Sequence, residues 1–346
     1  MFIHKYHDII TIEKILQAWQ EFLYDKKKRS DVILFQAKLI DNIYLLYNDL
    51  KNKTYKHGGY KSFNISDPKP RIIHKASVRD RLLHHLIYQE LYSYFDSKFI
   101  FDSYSCRVGK GTHKAIYRFD SFQRKVSKNN IKTCWVLKCD IRKFFDNIDH
   151  NILKGILKKH IKDENILYLL SEIIDSFTTN THISHGVYMQ NIFSDPISKT
   201  YGVGLPLGNL TSQLLVNIYM NEFDQFVKHK LKIKYYIRYA DDFVILQNDK
   251  GILQNLLKQM EEFLEKDLKL KMHPDKVFIK TIACGVDFLG WVQFPKHRVL
   301  RTSTKRRMFR NIKKSQKLNT VISYLGMLSH GSGQRLKNRI IKLISL

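Results

Sequence analysis

Apolar residues recur at helical spacing early in the chain, at Ile12, Ile15, Leu16, Trp19, Phe22 and Leu23 and again at Leu39, Ile40, Ile43, Leu46 and Leu50. Residues 7–55 therefore read as helices, joined by a connection that carries Lys26-Lys27-Lys28-Arg29 and suits a solvated basic loop. The period then shortens. Phe63-Asn64-Ile65-Ser66-Asp67-Pro68-Lys69-Pro70-Arg71-Ile72-Ile73-His74 reads as a strand, a proline-marked turn and a second strand, and a helix begins at Val78-Arg79-Asp80-Arg81. Farther on, Val136-Leu137-Lys138-Cys139-Asp140 is an apolar strand-like run that ends on an acid. Residues 150–176 read as a helix rich in Ile and Leu, followed by a polar, glycine-containing passage to Gly202. Gly204-Leu205-Pro206-Leu207-Gly208-Asn209-Leu210-Thr211-Ser212-Gln213 opens another helix, with Leu215, Ile218, Tyr219, Phe223 and Phe226 on one face. Residues 252–270 alternate leucine and charge at helical spacing, and Leu270 to Val277 returns to the sheet. The last helices carry Val321, Tyr324, Leu325, Leu328, Leu336, Ile340 and Leu343, enough for a small bundle.

One stretch does not fit a plain strand. Tyr235-Tyr236-Ile237-Arg238-Tyr239-Ala240-Asp241-Asp242-Phe243-Val244-Ile245-Leu246 places two adjacent carboxylates between apolar, β-prone flanks. Side chains alternate faces along a strand, so two acids in a row are offered to one site only at the tight turn of a hairpin. Adjacent carboxylates repel, and hard divalent cations such as Mg²⁺ or Mn²⁺ make such a cluster tolerable. A lone Asp-Asp is also a common solvated turn. A strand leading to Asp140 beside this hairpin changes the balance, because carboxylates from two strands would meet at one sheet edge and could hold two ions.

Charge sharpens the picture. The 346 residues hold 59 Lys and Arg against 32 acids, a net charge of +27, which suggests a polyanionic partner, nucleic acid before membrane. From Lys296 to Lys317 there are ten Lys or Arg and no acid. A chain of this length can bury a sizeable core as one body with two or three lobes. Cys106, Cys134, Cys139 and Cys284 lack Cys-x-x-Cys spacing, so neither a zinc site nor a disulfide framework is indicated, which fits a reducing cytosol. The start Met1-Phe2-Ile3-His4-Lys5 lacks signal-peptide architecture, and no apolar run reaches the ~18 residues of a membrane span. The segment Arg107-Val108-Gly109-Lys110-Gly111-Thr112 could bind phosphate before a helix, although it lacks the spacing of a Walker A loop.

Taken together, these motifs resemble the reverse transcriptases. Tyr239-Ala240-Asp241-Asp242 matches that family's palm tetrad, and the order of motifs follows its fingers, palm and thumb across nearly the whole chain. The resemblance implies an α+β right-hand polymerase fold with an antiparallel palm sheet backed by helices and a helical thumb. It divides the chain into an N-terminal helical extension (1–62), fingers (63–135), palm (136–295, with a finger-like insert near 177–203) and thumb (296–346). It also implies an RNA-directed DNA polymerase that adds dNTPs to a primer 3′-hydroxyl. Asp140, Asp241 and the backbone carbonyl of Ile141 would hold two Mg²⁺ ions, with Mn²⁺ as a substitute and Asp242 in support. Lys276 would serve as general acid toward the leaving pyrophosphate. Arg71, with Lys69 and Arg79 behind it, would grip the triphosphate. Phe145 would stand against a 2′-hydroxyl, and Leu207 and Gly208 would lie under the nascent base pair. Arg107, Lys110, Ser212, Gln213, Gly290, Arg301, Lys305, Arg306 and Arg310 would contact template, primer or duplex. The bland alternatives are a surface Lys276, an Arg79–Asp80 neighbour pair, a core Phe145 and a core turn at Gly290.

Leu207 stands where most reverse transcriptases carry glutamine, and Ser212-Gln213 where they carry Ser-Pro. This departure resembles the diversity-generating retroelement branch, with anti-phage defence enzymes as close relatives. The implied setting is the bacterial or phage-encoded cytoplasm, with an RNA template and a DNA or RNA primer but no membrane. The diversity-generating type adds a small basic helical accessory protein, and the defence type adds oligomers. A catalytically dormant nucleic-acid-binding palm is the alternative from another class. An RNA-dependent RNA polymerase is disfavoured by Phe145. No RNase H, integrase or endonuclease segment is expected beyond the thumb.

Overall fold

The computed structural model describes residues 1–66, 69–179, 202–315 and 317–344. In chain order its elements are α1 (Tyr6–Ile9), α2 (Ile12–Phe22), α3 (Ser30–Ala37), α4 (Leu39–Lys51), β1 (Tyr60–Ile65), β2 (Arg71–Ala76), α5 (Val78–Asp96), α6 (Thr112–Val126) and β3 (Trp135–Asp140). There follow α7 (His150–His160), α8 (Glu164–Asp175), α9 (Leu210–Gln225), β4 (Tyr236–Tyr239), β5 (Asp242–Gln247), α10 (Lys250–Leu268) and β6 (Phe278–Thr281). The chain ends in β7 (Val286–Phe288), β8 (Trp291–Gln293), β9 (Arg298–Leu300), α11 (Thr302–Ser315), α12 (Leu318–Leu328) and α13 (Gln334–Ile344).

Where these bounds depart from expectation, a local cause is visible. The helix expected over 150–176 is two helices, because the Asp163 side chain accepts from the amides of Asn165 and Ile166 and starts α8 anew. The return to the sheet begins within 270–277 as an isolated antiparallel bridge of Met272 with Ile141, and the strand proper starts at Phe278, since Pro274 cannot donate to a ladder and opens a 3-10 turn capped by His273. The basic stretch from Lys296 first forms β9 and only then the helix α11. The insert expected near 177–203 lies largely outside the described residues.

Two compact units are built from interleaved segments. The first takes Met1–Ile100, Lys143–Gln225 and Phe263–Lys271; the second takes Phe101–Arg142, Phe226–Glu262 and Met272–Leu346. In the first unit α5 packs on α2 and α9, and α7 packs on α8 and α9. Their interior includes Ile15, Trp19, Phe22, Leu82, Leu83, Leu86, Leu215 and Phe223, each almost fully buried. Such side chains each contribute about 1.5–3 kcal/mol by leaving water. The antiparallel ribbon β1–β2 belongs to this unit, with register Ile65↔Arg71 through Tyr60↔Ala76.

The second unit holds an antiparallel sheet in the order β4-β5-β3-β6. Its strands β3 and β5 are central and carry buried apolar side chains on both faces, interrupted on one face by Lys138, Asp140 and Asp242. On one face Val136, Val244, Leu246 and Ile237 join Phe119 and Phe122 of α6 in a single core. A separate ribbon β7-β8-β9 shares a second core with α11, α12 and α13 through Trp291, Leu300, Met308, Ile312, Val321, Leu328 and Ile340. No helix among the described residues is long and apolar enough to cross a membrane.

Candidate active site

Strand register sets the centre of the site. β3 and β5 pair so that Asp140 lies opposite Asp242, and Lys138 lies opposite Val244. Side chains directly opposite in an antiparallel pair share a face, and so do residues two apart. Lys138, Asp140 and Asp242 therefore stand on one face, the same face that farther along carries Val136 and Leu246 beneath α6. Asp241 occupies the hairpin loop itself, and its carbonyl accepts from the Ile141 amide at 3.2 Å. The acids at 140 and 241 are thus tied together through adjacent backbone, although a hundred residues separate them in sequence.

The loop geometry is unusual and is supported from behind. Ala240 has φ +55, the positive angle wanted at the first position of a two-residue hairpin loop but unfavourable for a residue with a Cβ. Arg238, whose residue exposure is 0%, donates from Nη1 to the Ala240 carbonyl at 3.1 Å and from Nη2 to Ser103 Oγ at 3.1 Å. The backbone of Arg238 is bonded in turn to Asp102 and Tyr104, and Asp102 accepts from Arg118 Nε at 2.7 Å and Nη2 at 3.2 Å. A buried guanidinium with this many partners fixes the loop that displays Asp241.

Two ammonium groups face the acids. Lys276 Nζ lies 2.9 Å from Asp140 Oδ1, and Lys138 Nζ lies 3.0 Å from Asp242 Oδ2. The Asp140 carbonyl accepts from the His273 amide at 2.7 Å, which anchors the segment leading to Lys276. Burial pushes the Asp242 carboxyl up to about 6; Lys138 opposes that rise, and the neighbouring charges of Asp241 and Asp140 add to it. Its Oδ1 is buried with no hydrogen-bond partner. The donor set therefore suits a hard divalent cation: hard carboxylate oxygens, with three acids against two ammonium groups leaving negative charge in surplus. The carboxylates are not drawn in around one point. Among the described residues, no three Asp, Glu, His or Cys side chains form a group that could hold a metal ion as placed.

The first unit assembles several other expected residues by backbone bonds. The amide of Leu205 donates to the Phe145 carbonyl at 2.8 Å, the amide of His74 donates to the Leu207 carbonyl at 3.0 Å, and Asn209 Nδ2 donates to the His74 carbonyl at 3.0 Å. Phe145, the Leu207-Gly208 loop and the ribbon bearing Arg71 are thereby joined. Gly208 has φ +110, and a Cβ there would meet Ile73 Cγ2 at 2.7 Å, so the close approach at this glycine is to the ribbon. Phe145 is half-buried and packs edge-on against Phe144. Lys69 and Arg71 are exposed.

The remaining expected residues are spread more widely. Arg79 is engaged locally: it donates to Asp49 at 2.5 Å, lies 3.7 Å from Asp80 and stacks over Tyr55. Ser212 is only 2% exposed, and a nucleic-acid contact from it would require that packing to open. Gln213 is half-buried. Arg107 donates to the Ser103 carbonyl, and Lys110 donates to the Phe101 carbonyl while lying over the Phe101 ring. Gly290, with φ +85 after Leu289 at +51, makes the tight turn between β7 and β8, and its carbonyl accepts from Arg301. The Arg301 guanidinium pairs with Asp287. On α11, Arg306 and Arg310 are exposed four residues apart, with Lys305 half-buried beside them.

Two residues escaped the sequence. Lys138 had a signal: a charge in an otherwise apolar strand, two positions before an acid, must share that acid's face. Arg238 had a similar one, a cation inside a strand whose neighbours are all apolar or aromatic.

A hairpin carrying paired acids against a central acid-tipped strand defines a nucleotide polymerase palm, and similarity to known proteins agrees. The profile of the family "Reverse transcriptase (RNA-dependent DNA polymerase)" matches residues 56–293, well over half of the chain. The chain belongs to that family, and its fold is the α+β right-hand polymerase fold. It is 25% identical to Protein YkfC of Escherichia coli, over 79% of this chain and 74% of that protein. It is 24% identical to the group II intron-encoded protein LtrA of Lactococcus lactis, over 77% of this chain and 51% of LtrA. The chain thus spans about half of LtrA, and it covers 32% of a putative COX1/OXI3 intron 2 protein of Saccharomyces cerevisiae that it also resembles. Among solved structures, telomerase from Candida albicans in complex with a telomeric RNA fragment aligns with TM-score 0.50 at 11% identity, over 84% of this chain and 56% of that one. That likeness concerns the fold alone.

Proposed function

We propose that the protein is an RNA-directed DNA polymerase that extends a primer 3′-hydroxyl with dNTPs on an RNA template. The observation that carries this is the register that puts Asp140 opposite Asp242 with Asp241 in the adjoining loop. Asp140, Asp241 and the carbonyl of Ile141 are the groups that would hold two divalent ions, Mg²⁺ or Mn²⁺, with Asp242 in support. When bound, such ions activate the attacking oxygen and stabilise the leaving one during in-line phosphoryl transfer. Lys276, which pairs with Asp140, would hand a proton to departing pyrophosphate, a role its contact with that acid supports. Arg71 and Lys69 present cations from the exposed ribbon for the triphosphate, and Arg79 backs them from the base of α5. Phe145 limits room beside the sugar. Leu207 and Gly208 lie beneath the base pair, and Ser212 and Gln213 follow on α9. Arg107, Lys110, Gly290, Arg301, Lys305, Arg306 and Arg310 serve template, primer and duplex. The extension, fingers, palm and thumb follow the divisions given above.

Primer extension on an RNA template, comparing wild type with the Asp241→Asn, Asp242→Asn double mutant, tests the reading. Extension by wild type alone is expected; none by either sinks it in favour of a dormant nucleic-acid-binding palm, and equal extension by both removes Asp241 and Asp242 from the reaction. Replacing Phe145 with Ala should admit ribonucleotides, and unchanged sugar discrimination would refute that role.

The biological setting we propose is a bacterial or phage retroelement in the cytoplasm. Two intron-encoded proteins among the relatives favour a retroelement, while Leu207 and Ser212-Gln213 favour the diversity-generating branch over the intron type. That branch entails a small basic helical accessory protein; an anti-phage defence enzyme with oligomeric assembly is the second reading. An aliphatic Leu207 cannot donate the hydrogen bonds of a glutamine, so base selection should be loose. Ordinary accuracy at every template base in a misincorporation assay would remove this part. Sequencing RNA and DNA that copurify with the protein distinguishes the two settings.

A further inference from the structure

We infer that Lys138 is a positioning residue: its ammonium is a built-in counter-charge that holds Asp242 and keeps it from direct ion coordination, leaving Asp140 and Asp241 to bind the ions. The inference rests on the polymerase reading above and deepens it.

The two lysines at the acid cluster are not equivalent. The Lys276 side chain is 41% exposed, sits on a 3-10 turn and meets Asp140 from the solvent side. Its ion pair is screened by water and easily displaced. The Lys138 side chain is 8% exposed and rises from the middle of the central strand β3. An ammonium there is strongly disfavoured unless it is paired, and it donates to Asp242 Oδ2 at 3.0 Å. A cation arriving at Asp140 can turn Lys276 out into water, whereas no such exit is open to Lys138. Asp242 thus keeps one oxygen engaged by protein charge while its other oxygen, Oδ1, stays buried without a partner. Without Lys138, the cluster of Asp140, Asp241 and Asp242 would lose one buried positive charge, and the demand for divalent cation would rise. The sequence pattern gives Lys138 this post through period-2 alternation alone, since residues 138 and 140 share a face.

The test is Mn²⁺ and Mg²⁺ binding to the full chain without nucleic acid, read by electron paramagnetic resonance for Mn²⁺ and by the shift of the melting temperature for both. Lys138→Met should bind Mn²⁺ about tenfold more tightly than wild type and gain a larger thermal shift, because the ion must supply charge the lysine supplied before. Lys138→Arg, which keeps the charge, should stay near the wild-type value. The double variant Lys138→Met, Asp242→Asn removes both charges and should return to within about threefold of wild type, since Asp242 is not itself a ligand. A Lys138→Met midpoint equal to wild type overturns the inference, and so does a double variant that loses binding as Asp241→Asn does. Should Lys138→Met fail to fold, the double variant decides alone. Wild type that binds no ion at millimolar concentration fells the two-ion reading and this inference together; wild type that binds while the variants do not differ fells the inference only.

Discussion

The two halves of the proposed chemistry are built on opposite principles. In the second unit, the acids stand on the central strand and on a hairpin beside it, with Arg238 fully buried behind the loop and both Asp140 and Asp242 paired to lysines. In the first unit, the cations proposed for the triphosphate stand toward the turn end of a two-stranded ribbon, where residues 61–64 and 71–72 are exposed. A lone two-stranded ribbon is marginal in water. Its hold comes from the base, where His74 bonds Leu207 and Asn209, and where the buried Asp80 accepts from Tyr55, Ser77 and the Gly58 amide. Groups that must keep their geometry during bond exchange are over-determined by the sheet. The groups proposed to meet the nucleotide's phosphates are instead carried on a ribbon held at its base.

Breaking the rigid half should have the largest effect. Asp140→Asn keeps the shape of the side chain and removes its charge, so the fold should persist while primer extension falls on the order of a thousandfold. Circular dichroism and melting would confirm the fold, and single-turnover extension would measure the loss. Retention of even a tenth of the activity would mean that this strand end is not the reaction centre. Breaking the exposed half should cost less and show in a different constant. Arg71→Ala removes one charge-assisted grip, so the KM for dNTP should rise about ten- to a hundredfold with kcat changed far less. A pure kcat effect would place Arg71 elsewhere in the cycle.

The same contrast explains what could be read from the sequence. The acids at 140, 241 and 242 were legible because alternation and the tight-turn requirement leave few ways to arrange them, and the sheet follows those rules. The ribbon was legible from Pro68 and Pro70 and its β-prone flanks, though it begins at Tyr60 rather than Phe63. Lys138 and Arg238 were missed because a cation within an apolar strand reads as an irregularity until its distant partner, 104 residues away for Lys138 and 135 for Arg238, is known. The link between Gly208 and Ile73 was out of reach for the same reason: the sequence marks a glycine that wants close approach but not what approaches it. The split of the 150–176 helix was there to be seen, since Asp163-Glu164 is an N-cap followed by a first-turn acid.

That glycine offers a smaller perturbation that sharpens the comparison. Gly208→Ala places a Cβ 2.7 Å from Ile73 Cγ2 at a φ of +110, so it should destabilise the first unit by about 1–3 kcal/mol. It should also loosen the ribbon more than the bulk of the unit, raising the KM for dNTP as a weaker copy of Arg71→Ala. Pairing it with Ile73→Ala should return the steric share of the loss but not the backbone share. If the double variant is no better than Gly208→Ala alone, the clash is not what fixes the ribbon's base.

Acid should separate the halves most gently. Burial pulls the His84 ring down to about 3, with the adjacent His57 adding to the effect, and neither ring nitrogen of His84 has a hydrogen-bond partner. His57, His74 and His85 in the same unit are also lowered, each mainly by burial. A histidine whose folded value lies below its ordinary 6.5 contributes stability that is present above pH 6.5 and lost as the pH falls toward the folded value. Asp242 behaves in the opposite way. Its value of about 6 exceeds the ordinary 3.8, so its contribution is present below about pH 4 and lost as the pH rises through 6. Acidification from pH 7.5 to 5 should therefore weaken the first unit while it relieves the acid cluster of the second. His84→Leu removes one of the protons the first unit must exclude. Its stability relative to wild type should improve by about 1.4 kcal/mol for each pH unit below 6.5, on top of any constant packing difference. Urea unfolding of both proteins at pH 7.5, 6 and 5 measures the divergence. Parallel curves would show that His84 takes up no proton on unfolding, and that the buried histidines beneath the ribbon are not what makes that half acid-sensitive.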